Sequence, residues 1–383
     1  MKELLARKKE IMALFKDVLE PKESIVISDW KKDGGKIIGC LYNYFPEEII
    51  TAAGFLPYRV NALNSQGTEL AEPRFSQINC SLVRHFYNEA AKGAQDFLDG
   101  LVTVNNCDHL RRLFDNWQDQ IDTGFFYFIP LPKKAGELQI EEFCKKISAF
   151  KSRFEEFFRI SISDESLKTA IRVHNVTKNL QRQLYDFRAQ GCSLISAADV
   201  MTIMIASHCF PRERFNTLLS ELVNICQSYK FEADANAKKV MVIGGELDNS
   251  NILQLIEESG AFVITDSLGY GTRDCKKDIP LSNNPISDIA NYYLSIKPCD
   301  PRFFGTTYER NQYVQDLLDS HNVDGIIGIR ILQCDHWAFE LLNMKKLSKR
   351  NSIPYLNLET EYIFSGVGQT KTRVQAFIES IGA

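Results

Sequence analysis

At 383 residues the chain is longer than a single hydrophobic core usually serves, so two or three domains are expected. Its make-up, 44% apolar and 25% charged with a formal net charge of -4, is that of an ordinary globular protein and gives no basic field for nucleic acid. The longest nearly apolar stretch, 200–210, is too short to cross a bilayer, and the opening MKELLARKKEIMALF lacks the apolar core and cleavage site of a secretory signal, so a cytoplasmic protein without a membrane partner is expected.

The first ~25 residues have the pattern of an amphipathic helix. KIIGCLYN (36–43) then reads as a strand, followed by a turn at Pro46, a helix over 47–53 stopped by Gly54, and a strand over 55–60. Beyond a polar, irregular stretch come a helix over 81–92, a strand over 101–105, a helix over 108–118 and a strand over 125–130. Strand and helix alternating at these lengths predict parallel βαβ units. From about 140 to 230 the chain is charged and helical in period, with no credible buried strand; Leu180, Leu184 and Phe187 recur there as a core stripe. The alternation returns at VMVIGGEL, and continues through AFVITD, IIGIRI and IPYLNLETE to a last helix, TKTRVQAFIESI. The expected fold is α/β: two similar parallel-sheet domains, 1–140 and 236–383, facing a cleft, with a helical segment, 141–235, between them.

Internal similarity supports the pairing of the two halves. EEIITAAGFLPYRV (47–60) parallels LIEESGAFVITD (255–266), and DGLVTVNNCDH (99–109) parallels DGIIGIRILQCDH (324–336). Each of the latter runs Asp-Gly, an apolar strand, then Cys-Asp-His opening a helix.

Ten cysteines without a single Cys-x-x-Cys pair are unusual for a reducing compartment, where a disulfide framework is not expected. A free cysteine packs as a small hydrophobe, so position must pick out any ligands. Cys107 and Cys334 fall where a parallel strand ends and a helix begins, the place where ligands collect in open α/β sheets. A helix start also offers free N–H groups and partial positive charge, both of which favour a thiolate. Cys80 stands at a third helix start. Three thiolates on an iron–sulfur core leave one iron open, a catalytic arrangement, whereas a closed cluster takes four. Zinc is the rival, since both Cys-Asp-His strings supply sulfur and nitrogen, but adjacent residues at a helix start seldom converge on one ion.

The string GCLYNYFPEEIITAAGFLPYRV (39–60) resembles the opening signature of the 2-hydroxyacyl-CoA dehydratase and benzoyl-CoA reductase family. The spacing to Cys80, to Cys107-Asp108 and to Cys334 is similar too, as are IEESGAFVITDSLGYGTR (256–273), IPYLNLETEY (353–362) and GQTKTRVQAF (368–377). The resemblance covers nearly the whole chain. Its length and Gly-Gln-x-x-Thr-Arg ending look most like the smaller, beta subunit of the dehydratase D component. The resemblance implies a two-subunit enzyme in which Cys80, Cys107 and Cys334 hold a 4Fe–4S cluster, or a fused, higher variant. It further implies an acyl-CoA substrate, a homologous second subunit or second copy, and a separate ATP-hydrolysing iron–sulfur activator that supplies one electron. Water would then leave a 2-hydroxyacyl-CoA by way of a ketyl radical anion. The chain has no Gly-x-x-x-x-Gly-Lys phosphate loop of its own, in keeping with a separate activator.

Glu47 and Glu48 are the catalytic candidates, because they open a helix just after a strand; acids there also favour the helix dipole. Asp108, Asp335, His109 and His336 are weighed as first-turn residues, and Arg273 and Arg373 as partners for the anionic groups of coenzyme A. The lone Gly-x-Gly at 269–271 is too short a signal for nucleotide binding. Of the other cysteines, Cys275 lies nearest the expected cleft. Three alternatives stay open: a dearomatising aryl-CoA reductase or double-cubane reductase of small molecules, an electron-relay subunit with no substrate of its own, and a cluster-free two-lobed binding protein.

Overall fold

The computed structural model describes residues 2–229, 237–297, 299–364 and 366–381. Among these, eight strands form two separate four-stranded sheets, each wholly parallel. The first contains β1 (Ile37–Leu41), β2 (Leu56–Arg59), β3 (Gly100–Val104) and β4 (Phe125–Ile129), in the order β2-β1-β3-β4. The second contains β5 (Lys238–Gly244), β6 (Ala261–Ser267), β7 (Gly325–Ile331) and β8 (Tyr355–Thr360), in the order β6-β5-β7-β8. The two orders are the same, so the duplication legible in the paired Cys-Asp-His strings extends to the topology of both halves.

Local chemistry explains the strands. β1 and β3 are apolar runs buried on both faces, as central parallel strands must be, whereas β4 and β8 lie at sheet edges and are only partly buried. Pro57, which cannot donate to a ladder, falls in β2 at the opposite edge of the first sheet. Between the sheets run the helices Glu137–Phe158, Asp164–Ala189, Ala197–Ala206 and Arg212–Gln227. The first of these begins at Glu137, ahead of the boundary expected at 140. It buries Phe143, Ile147, Phe150 and Phe154, a stripe at helical spacing. Phe150 and Phe154 pack on Phe125 of the first sheet at ring distances of 6.4 and 5.4 Å. A single apolar core runs through both sheets and this helical layer, Leu184 included, with Leu180 and Phe187 packed against it. A smaller cluster built on Met241, Ile326 and Trp337 covers the other face of the second sheet.

Polar staples join the halves. The Tyr362 hydroxyl accepts from the amide of Ala62 at 3.0 Å and donates to Asp248 at 2.9 Å, while its own amide donates to Ser81 Oγ at 2.8 Å. Burial pushes the Asp248 carboxyl up to about 7, an effect the Tyr362 hydrogen bond only partly offsets. Between about pH 4 and pH 7 the folded protein thus holds a proton that the unfolded chain releases, so stability falls as pH rises through that window and is level above it. Asp248→Asn keeps an acceptor for Tyr362 without the charge. It should raise stability at about pH 8 by on the order of 1–3 kcal/mol and flatten the difference between urea midpoints at about pH 5 and pH 8. An unchanged pH dependence in the variant would count against this assignment.

Candidate functional site

In a parallel sheet of order 2-1-3-4 the connections leave β1 and β3 toward opposite sides, which opens a crevice at their carboxyl ends. Each half has such a crevice, and the two face each other across one cavity of about 790 Å³, its mouth included. Tyr42 comes from the end of β1 and Gly245, Glu246 and Leu247 from the end of β5. Cys107 and Cys334 follow β3 and β7, and Cys80 completes the set. All three cysteines are N-caps, of the helices Ser81–Ala91, Asp108–Gln120 and Asp335–Arg350, so three helix starts converge on the cavity wall. Among the described residues no group of three His, Cys, Asp or Glu side chains converges tightly enough for a single metal ion. Zinc would need ligands at about 2.0–2.3 Å. Three thiols on the wall of one cavity are the donor type that an iron–sulfur core takes.

Burial pushes the thiols of Cys80 and Cys334 up. The Cys107 thiol beside Cys80 adds to the effect there, whereas the Arg302 guanidinium opposes it at Cys334. Arg302 is buried, donates through Nη1 to both oxygens of Asp300 at 2.8 and 2.7 Å, and lies 4.5 Å from the centroid of Tyr42. Lys133, whose Nζ donates to the Asn106 carbonyl at 2.8 Å, has its ammonium lowered to about 8, first by burial and then by Arg302. His109 Nδ1 accepts from the amide of Cys80 at 3.2 Å, so that histidine on the cavity wall holds the backbone of a cysteine. His336, Asp108 and Asp335 also line the cavity.

Glu47 and Glu48 are not among the residues lining that cavity. They line a second, smaller one, deep between the halves. Glu47 meets Arg59, Arg212 (3.2 Å) and His208 Nδ1 (2.9 Å), and His208 Nε2 meets Asp274 at 2.8 Å. Lys297 closes on Asp274 at 2.7 Å. Burial works against the charged carboxyls, but His208 and Arg59 hold Glu47, and Lys297 and His208 hold Asp274, well below the ordinary carboxylate range. Glu48 differs: burial raises it, Tyr293 donates to it at 3.1 Å, and His174 lies 3.5 Å away.

The remaining candidates fall elsewhere. Arg273 is buried, donates to the carbonyls of Gly244 (2.9 Å) and Cys299 (3.2 Å), and stacks on Trp337, so it braces the second sheet from behind the cavity. Arg373 donates to the Asn357 carbonyl at 2.7 Å on an exposed helix. Cys275 is buried in a short helix. A Cβ at Gly269 or Gly271 would strike the carboxylates of Glu246 and Asp266, which accounts for the Gly-x-Gly by packing. Tyr42, Glu246, Arg302 and Trp337 were not singled out by the sequence pattern. The halves' similarity could have found two of them, since Tyr42 and Glu246 follow equivalent strands.

Removing the Glu47 carboxylate strands Arg59 and Arg212 as buried cations, which typically costs about 3–5 kcal/mol. Glu47→Ala should lower the denaturant midpoint accordingly and Glu47→Gln by less; a wild-type midpoint in Glu47→Ala would show that the cluster does not hold the halves. As both depressed carboxyls are ionised at neutral pH, their contribution is complete above the unfolded value of about 4 and is lost on acidification toward the folded one.

Residues 42–381 match the family model described as 2-hydroxyglutaryl-CoA dehydratase, D-component. The (R)-phenyllactyl-CoA dehydratase beta subunit of Clostridium sporogenes is 24% identical over 370 residues, 96% of this chain and 97% of its own length. The (R)-2-hydroxyglutaryl-CoA dehydratase subunit beta of Acidaminococcus fermentans is 25% identical over 366 residues, 93% and 95% of the two chains. A benzoyl-CoA reductase subunit of Thauera aromatica is 21% identical over 360 residues, 91% and 92%.

Proposed function

The chain belongs to the 2-hydroxyglutaryl-CoA dehydratase D-component family, and from that membership we propose that it is the iron–sulfur subunit of a 2-hydroxyacyl-CoA dehydratase. One observation carries the reading: three cysteines, each at a helix start, line one cavity, with no fourth cysteine on its wall among the described residues. In the proposal Cys80, Cys107 and Cys334 hold an iron–sulfur cluster, of the 4Fe–4S or a higher type. Such a group, when bound, supplies one-electron transfer and a Lewis-acidic iron toward oxygen.

The chain's own residues prepare the site for it. Three helix N-termini stabilise negative charge on the thiolates and on the core they share. His109 orients the Cys80 backbone, and the apolar wall of Leu82, Val83, Leu110 and Ile331 limits access of water. Water elimination from a 2-hydroxyacyl-CoA needs a proton taken from one carbon and a hydroxyl lost from the next. Glu47 and Glu48 stay in the proposal as acids of the deeper cavity, with Glu48, whose carboxyl is raised by burial, the better placed to exchange a proton. The proposed partners are an acyl-CoA, a homologous second subunit, as the word beta in the relatives' names suggests, and an ATP-hydrolysing iron–sulfur activator. The engagement of Glu47 in ion pairs away from the cysteines favours a second reading, an electron relay whose sister subunit binds the substrate. The likeness to a benzoyl-CoA reductase makes dearomatising reduction the competing chemistry.

Anaerobically prepared protein should be coloured, contain iron and acid-labile sulfide, and give a cluster signal in EPR. Cys80→Ser, Cys107→Ser and Cys334→Ser should each abolish or cripple that signal, while Cys144→Ser and Cys226→Ser leave it whole. Colourless, iron-free wild type would sink the proposal. With second subunit, activator and ATP present, conversion of a 2-hydroxyacyl-CoA to an enoyl-CoA supports the dehydratase, and reduction of an aryl-CoA instead would replace it with the reductase.

A further inference from the structure

The two halves do not contribute equally to the cysteine cavity. In the first half, the connection from β2 to β3 delivers Cys80 and the end of β3 delivers Cys107. In the second half the end of β7 delivers Cys334, but the matching connection, from β6 to β7, delivers Arg302.

The Arg302 guanidinium is held in place and left partly unused. Asp300 takes Nη1 through both its oxygens, and the residue is 6% exposed, yet among the described residues Nε has no hydrogen-bond partner. Trp337, on the same wall and 2% exposed, likewise has an indole N–H without a partner among the described residues. Its ring is fixed by Arg273, 4.6 Å from the ring centre. Buried donors are almost always satisfied, so two unpartnered ones on the wall of one cavity point to an acceptor that belongs there. Neither donor suits a neutral apolar occupant, and both suit the anionic sulfur of an inorganic core.

We propose that Arg302 and Trp337 form a donor wall for the iron–sulfur core held by Cys80, Cys107 and Cys334. The inference rests on the cluster reading above and deepens it. Both residues are positioning residues. Hydrogen bonds to the sulfurs and a nearby positive charge stabilise the core most in its reduced, more negative state, so the wall raises the reduction potential.

The test is an EPR-monitored redox titration, with iron and sulfide counts, of anaerobic wild type, Arg302→Gln, Arg302→Lys and Trp337→Phe. Arg302→Gln should titrate at a clearly more negative potential, Arg302→Lys between it and wild type, and Trp337→Phe at a modestly more negative potential with full iron content. If Arg302→Gln fails to fold by circular dichroism, Trp337→Phe and Arg302→Lys decide the matter. Wild type that loads iron while the folded variants titrate at its own potential overturns this inference alone. Wild type that takes up no iron overturns the cluster reading and this inference with it.

Discussion

Two carboxylates reach His208 from opposite sides: Glu47, which opens the helix after β1, and Asp274, which lies beyond β6. One imidazole in the helical layer thereby ties the first sheet to the second. Each ring nitrogen lies within hydrogen-bond distance of a carboxylate oxygen, and Arg59, Arg212 and Lys297 balance the charge around them. Buried pairs of this kind add little net stability over apolar packing, yet they are intolerant of losing one member. What they fix is relative position. This clamp, Tyr362 and the shared apolar core hold the halves face to face, so that the carboxyl ends of β1 and β3 share a cavity with those of β5 and β7.

Much of this was legible before any coordinates. Continuous apolar runs bounded by turn residues marked the strands of both sheets, with ends that differ from the structure by only a residue or two at most positions. The repeated Asp-Gly, strand, Cys-Asp-His string pointed to two equivalent strand ends, and the equal strand orders are its structural counterpart. The three cysteines stood out by their location at helix starts, and they do share one cavity. Here the pattern works because a strand end is a local event that local residues announce.

Side chains that act across the fold were not legible in the same way. Glu47 and Glu48 are catalytic candidates in the sequence because they open a helix just after a strand, and their helix turns them into the interior, against His208 and Tyr293. Arg273 was a natural partner for an anionic ligand until its carbonyl acceptors and Trp337 were in view. Arg302 left no trace, since nothing in Cys-Asp-Pro-Arg shows which wall a guanidinium will join. A single residue brought in by a long connection has neither period nor spacing, and only the tertiary arrangement gives it meaning.

Tyr42 and Gln333, one from each half, both adopt left-handed backbone conformations, with φ of 72° and 65°, on the rim of the cysteine cavity. Neither is a glycine, and such conformations persist only where the surroundings over-determine them. The Tyr42 ring lies against Arg302, which the other half supplies. A half of the chain expressed by itself could pair its strands and bury its own apolar residues, yet it would lack the cross-half contact that keeps its rim from relaxing. The vestibule is in that sense a cooperative product of the intact polypeptide, and splitting the chain would dissolve it before it dissolved either sheet.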